Sequence, residues 1–131
     1  MMRLSDVRDY IESLKISEFT YMGRLDTKKE KSIGVYNSKH SQTYQTAIGG
    51  LSLKSYDTKY VTFLVHWNRY PIDTEDAAIK LFEALENVRD ATINNIKIKF
   101  IQLLNNEPVD VGVDANGICE MVIEAAIIYE R

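Results

Sequence analysis

Residues Tyr60–Trp67 alternate strictly, with Val61, Phe63, Val65 and Trp67 interleaved with Tyr60, Thr62, Leu64 and His66. A two-residue period marks a β-strand, because successive side chains of an extended backbone point to opposite faces. One face of this strand is wholly apolar and the other mixed. Such a strand persists in water only under a covering layer, so the rest of the chain must supply one.

The chain has 131 residues, the size of one ordinary domain, and is read as a single domain over 1–131. With 45% hydrophobic and 27% charged residues it belongs with globular rather than disordered sequences. A net charge of −3 argues against wholesale coating of nucleic acid, although a local basic loop can still meet phosphate. Cys119 is the single cysteine, which excludes an intrachain disulfide and a cysteine-based zinc site and fits a reducing cytoplasm. The start, MMRLSDVRDYIESL, is charged and amphipathic, unlike a signal peptide, and no window is apolar enough to cross a bilayer. The expectation is a soluble protein without a membrane partner.

Along the chain, Ser5 is the expected N-cap of a first helix, with Asp6 and Asp9 in its first turn. Val7, Tyr10, Ile11 and Leu14 supply its apolar stripe to about Lys15. Phe19–Met22 reads as a short strand closed by Gly23, Asp26–Ser32 as a charged loop, and Ile33–Tyr36 as a strand. A polar loop follows from Asn37 to Gln45, and Gly49-Gly50 marks a bend. Asp57-Thr58 is expected to turn a tight hairpin between Leu51–Tyr56 and Lys59–Trp67. Pro71 ends the extended run. Asp73 or Thr74 then caps a second helix that buries Ala78, Leu81, Phe82 and Leu85 and turns Glu75, Asp76, Glu83 and Glu86 to water. Strands return at Ile96–Leu103, at the alternating Val109, Val111 and Val113, and at Ile118–Tyr129. Turns are expected at Asn105-Asn106 and Asn116-Gly117. The fold class that follows is α+β, a mostly antiparallel sheet with two helices packed on one face.

No motif on the chain carries chemistry. His66 is one of two histidines, and no carboxylate stands beside it at a defined spacing, so it reads as a structural strand residue. Glu120 and Glu124 share a strand face roughly 13 Å apart, beyond the about 5–9.5 Å of a glycosidase pair, and read as a solvated or partner-facing surface. Asp114-Ala115-Asn116-Gly117 resembles part of a calcium loop, but the register puts Gly112 and Ile123 at obligatory ligand positions. A hairpin turn explains those four residues. Lys28, Lys29 and Lys31 form a small basic cluster on a solvated loop, and Gly49-Gly50 has no phosphate-binding context. Eight tyrosines are many for this length and suit protein–protein contact as well as strands.

Three segments, KKEKSIGVYNSK (Lys28–Lys39), AIGGL followed by the expected hairpin and FLVHWN (Ala47–Asn68), and EAAIIYER (Glu124–Arg131), resemble the minor capsid protein family of tailed bacteriophages and prophages. By length and element order the chain is also similar to phage tail terminators, the subunits at the head–tail junction. The resemblance implies a structural, non-enzymatic protein of the virion, assembled in the host cytoplasm. It implies no catalytic residue, no cofactor and no metal. It also implies a homo-oligomer, a hexameric ring, that caps the tail tube and joins the head connector, with at most non-specific passage of DNA through an acidic lumen. A minor component on the capsid itself is the alternative role, and a small hydrolase or nucleotide-binding domain the rival from another class. The partner-contact positions expected on the two loops are Asp26, Lys28, Lys29, Lys31, Lys39, His40, Gln42 and Tyr44, since loops on a rigid sheet commonly carry binding.

Overall fold

A computed structural model describes residues 1–38 and 56–130. The element order is α1 (Leu4–Ser13), β1 (Phe19–Met22), β2 (Ser32–Asn37), β3 (Tyr56–His66), α2 (Pro71–Glu86), β4 (Arg89–Ile93), β5 (Ile96–Leu103), β6 (Val109–Val113) and β7 (Cys119–Glu130). The strands form one sheet in the order β1-β2-β3-β7-β5-β4, with β6 added beside β7. All pairings are antiparallel except β1 with β2. This is the α+β class expected.

Both helices cover one face. Ile33 and Val35 of β2, Val61, Phe63 and Val65 of β3, and Ile123, Ala125, Ile127 and Tyr129 of β7 are buried against Val7 and Ile11 of α1 and Ala78, Leu81 and Leu85 of α2. Met2 joins this core, and its backbone N–H donates to the Tyr129 hydroxyl at 3.2 Å. Burying each large aliphatic side chain stabilises the fold by about 1.5–3 kcal/mol, which makes this face the main source of stability.

Three local expectations need correction. The cap of α1 is Arg3 rather than Ser5: the Asp6 carboxylate reaches back to the Arg3 N–H at 2.8 Å and starts the helix earlier. The cap of α2 is Tyr70 rather than Asp73 or Thr74, because Pro71, with its preset φ, takes the first helical position. Asp57-Thr58 is no hairpin. Both residues lie inside β3, paired with Tyr129 and Ile128, since the long β7 gives β3 a partner along its whole length. The expected strand Leu51–Tyr56, apart from Tyr56, and the Gly49-Gly50 bend lie outside the described residues.

Strand β4 adds a hairpin that the alternation pattern does not announce. Asn94 and Asn95 both take positive φ, 50° and 66°, and join Ile93 to its cross-strand partner Ile96. Two left-handed residues in a two-residue loop are the hairpin geometry that matches strand twist, and asparagine tolerates it. The Asn94 amide also donates to Asp6 and Asp9 of α1, each at 2.9 Å, and so pins that helix to the turn.

Candidate functional site

β1 and β2 run parallel, yet only a short connection joins them, so the chain must double back. It turns at Gly23, whose φ of +74° favours glycine and whose N–H donates to Val35 O at 2.8 Å. Gly34 of β2 lies where this connection passes. A Cβ there would stand 2.7 Å from the Tyr36 ring and 3.1 Å from Leu25, so the close approach requires glycine.

Within the connection Asp26 is a turn former: its Oδ1 accepts the Lys28 N–H at 3.0 Å and its carbonyl the Lys29 N–H at 3.1 Å. Lys28 and Lys29 consequently project into solvent, with the Lys29 ammonium 5.5 Å from the centre of the Phe19 ring. They line an open groove of about 750 Å³ with Phe19, Arg69, Tyr70, Asn116 and two acidic residues, Glu18 and Glu30. Lys31 belongs elsewhere. Its backbone is in the left-handed region, its N–H donates to Trp67 O at 2.7 Å, and it lines a smaller groove with Asp73, Asp76 and Lys80. Of the expected contact residues, the structure therefore gathers Lys28 and Lys29 and separates Lys31 from them. Lys39, His40, Gln42 and Tyr44 lie outside the described residues. Sequence reasoning missed Phe19, Arg69 and Tyr70, which reach the groove only because β1 and the start of α2 flank the same loop.

On the far side of the sheet from the helices, His66 ends β3 fully buried. Its Nδ1 lies 2.7 Å from Glu120 Oε2 and 3.7 Å from Asp114 Oδ2, and its Nε2 lies 3.1 Å from the Thr27 carbonyl oxygen. His66 thus has carboxylate partners, contrary to the sequence expectation. The β3–β7 register sets His66 directly opposite Glu120, and the β6–β7 turn brings Asp114 alongside. Burial, and then the nearby Glu120 carboxylate, push the pKa of the Tyr36 hydroxyl up, against a hydrogen bond with the Leu25 backbone.

Among the described residues β6 pairs only with β7 and so forms an outer edge. Val109, Val111 and Val113 are all exposed, and the pairing with β7 shifts register between Asp110 and Gly112. An apolar strand with an unshielded backbone edge is a template for pairing with another chain.

A family model described as bacteriophage tail terminator protein matches residues 6–131. The chain belongs to the tail terminator family. The match begins within α1 and takes in α2 and every strand among the described residues. Membership gives the chain a structural role in a bacteriophage particle, at the end of the tail. None of the curated proteins compared matches the chain. Among the described residues no helix is long and apolar enough to cross a membrane.

Proposed function

We propose that the chain is a non-enzymatic tail terminator subunit that assembles in the host cytoplasm into a homo-oligomeric ring, six-membered by resemblance. The ring caps the tail tube and joins it to the head connector. The family match over residues 6–131 carries this reading. Ring closure requires two unlike patches on each subunit, meeting head to tail. The exposed β6 edge supplies one, and a surface on the neighbouring subunit receives it. The groove bearing Lys28, Lys29 and Arg69, with Phe19 and Tyr70 beside them, meets an acidic, partly apolar surface of the tube or connector. Each contact is weak alone, and a multivalent template makes the set strong. Lumenal DNA passes without specific contact.

Native mass spectrometry and electron microscopy of the purified protein, alone and with tail tubes, test this reading. Val111→Lys, on the β6 edge, is expected to abolish ring formation while leaving circular dichroism unchanged. The pair Lys28→Glu and Lys29→Glu is expected to spare the ring and weaken tube or connector docking. A wild-type protein that stays monomeric at high concentration and on tubes would refute the proposal.

A further inference from the structure

The His66 cluster poses a question that the ring does not answer. The Thr27 carbonyl oxygen only accepts hydrogen bonds, so the Nε2 that faces it at 3.1 Å carries the ring hydrogen. Nδ1 faces Glu120 Oε2 at 2.7 Å. An imidazole nitrogen and a carboxylate oxygen rest at that distance only with an electrophile between them, which is either a proton on Nδ1 or a metal ion. Asp114 adds a second carboxylate at 3.7 Å, and its Oδ2 is buried without a hydrogen-bond partner among the described residues. The other oxygen of Asp114 is occupied, accepting the N–H groups of Asn116 and Ile118 at 2.9 and 3.0 Å. Two carboxylates therefore converge on one imidazole nitrogen, and partial burial penalises such a concentration of negative charge unless a cation offsets it.

We propose that His66 Nδ1, Asp114 Oδ2 and Glu120 Oε2 bind a divalent transition-metal ion of the zinc class. The three atoms all lie within 4.8 Å of one another. Tetrahedral zinc with bonds of about 2.0–2.2 Å needs ligand separations of about 3.3 Å, so Glu120 retreats by about half an ångström and Asp114 closes by a similar amount. One imidazole with two carboxylates neutralises a doubly charged ion, and the nitrogen donor favours zinc-like ions over magnesium or calcium. The Nε2–H bond to Thr27 O is the outer contact by which metal-binding histidines are commonly oriented. Asp114 and Glu120 keep 14% and 18% of their side chains exposed, which gives the ion an entry path and room for a water ligand. The bound ion ties the end of β3 and the β6–β7 turn to the loop that carries Lys28 and Lys29, and Asn116, whose amide donates to Thr27 O at 3.2 Å, reinforces the same junction.

Co²⁺ titrated into the purified, chelator-treated full chain serves as the probe, read by visible absorption and competed with Zn²⁺. The expected result is one saturable ion per chain, displaced by Zn²⁺, with a rise in melting temperature that a chelator reverses. Asp114→Asn, which retains the oxygen that holds the turn, and Glu120→Gln are each expected to weaken binding at least tenfold. Glu124→Gln, on the same strand, is expected to leave it unchanged. Absence of saturable binding to the wild type, or variants that bind as tightly as it does, overturns the proposal. Should both variants fail to fold, nitrogen NMR of the wild-type His66 ring decides. A Zn²⁺-dependent shift at Nδ1 supports the site, and protons retained on both ring nitrogens at every Zn²⁺ concentration refute it.

Discussion

Two neighbouring rows of the same three strands behave oppositely. On the inner face, Ile33, Val65 and Met121 lie side by side across β2, β3 and β7 and pack under the helices. One residue along each strand, Ser32, His66 and Glu120 form the next row on the outer face. The inner row is held by non-directional apolar burial under a helical layer. The outer row is closed by a returning loop that offers backbone polar groups, and it is held by directional bonds: the Ser32 hydroxyl donates to the Lys29 and Glu30 carbonyls, and Nε2 of His66 meets Thr27 O. One sheet thus builds a stabilising face and a face whose chemistry depends on a loop.

Substitutions sharpen that contrast. The largest effect belongs to the inner face: Phe63→Ala is expected to cost about 3–5 kcal/mol in urea unfolding, through lost burial and a residual cavity. On the outer face, His66→Leu should cost about 2–3 kcal/mol by leaving Glu120 and Asp114 without their partner. The double variant His66→Leu with Glu120→Leu should recover part of that loss, since apolar replacement of a buried pair is often near neutral. Strict additivity in this cycle would mean that the outer row is not coupled. Gly34→Ala should cost about 1–2 kcal/mol by pushing Tyr36 and Leu25 aside, with faster amide exchange in the 23–31 loop as its local signature.

The smallest effect lies at α1. Asp6→Ala should cost roughly 0.5 kcal/mol, a capping value reduced by solvent exposure. The Arg3 N–H, then the Asn94 amide, hold the Asp6 carboxyl below its ordinary value of 3.8. A carboxyl whose pKa is depressed in the folded state contributes stability in full above the ordinary value and loses it as pH falls through the folded one. The wild-type and Asp6→Ala stability curves should therefore converge in acid below pH 3.8 and stay parallel at neutral pH.

Much of the fold is legible in the sequence because period-two alternation and helical stripes report one-sided burial directly. Val61, Phe63 and Val65, the closing strand and the buried positions of α2 are of this kind. Asp57-Thr58 misleads because polar residues resemble a turn wherever their pairing partner is distant in sequence, and here that partner is the far end of β7. The β4–β5 hairpin is hidden because Asn94-Asn95 declares itself only through two positive φ angles. The His66 cluster escapes local reading altogether, since His66 and Glu120 are 54 residues apart. Setting the two long strands antiparallel with their apolar faces matched puts His66 and Glu120 on one face, but a two-residue shift preserves that match, so the pairing itself comes from the observed register. Asp114 and Thr27 follow only from the turn and loop geometry. The groove of Phe19, Lys28, Lys29, Arg69 and Tyr70 is equally non-local, assembled from three separate segments.

Electron microscopy of isolated tail tubes incubated with the purified chain tests the central claim most directly. A ring of identical subunits at one tube end and an arrest of further tube growth are expected. Tubes that keep growing with bare ends, while the chain remains a monomer in the same mixture, would contradict it.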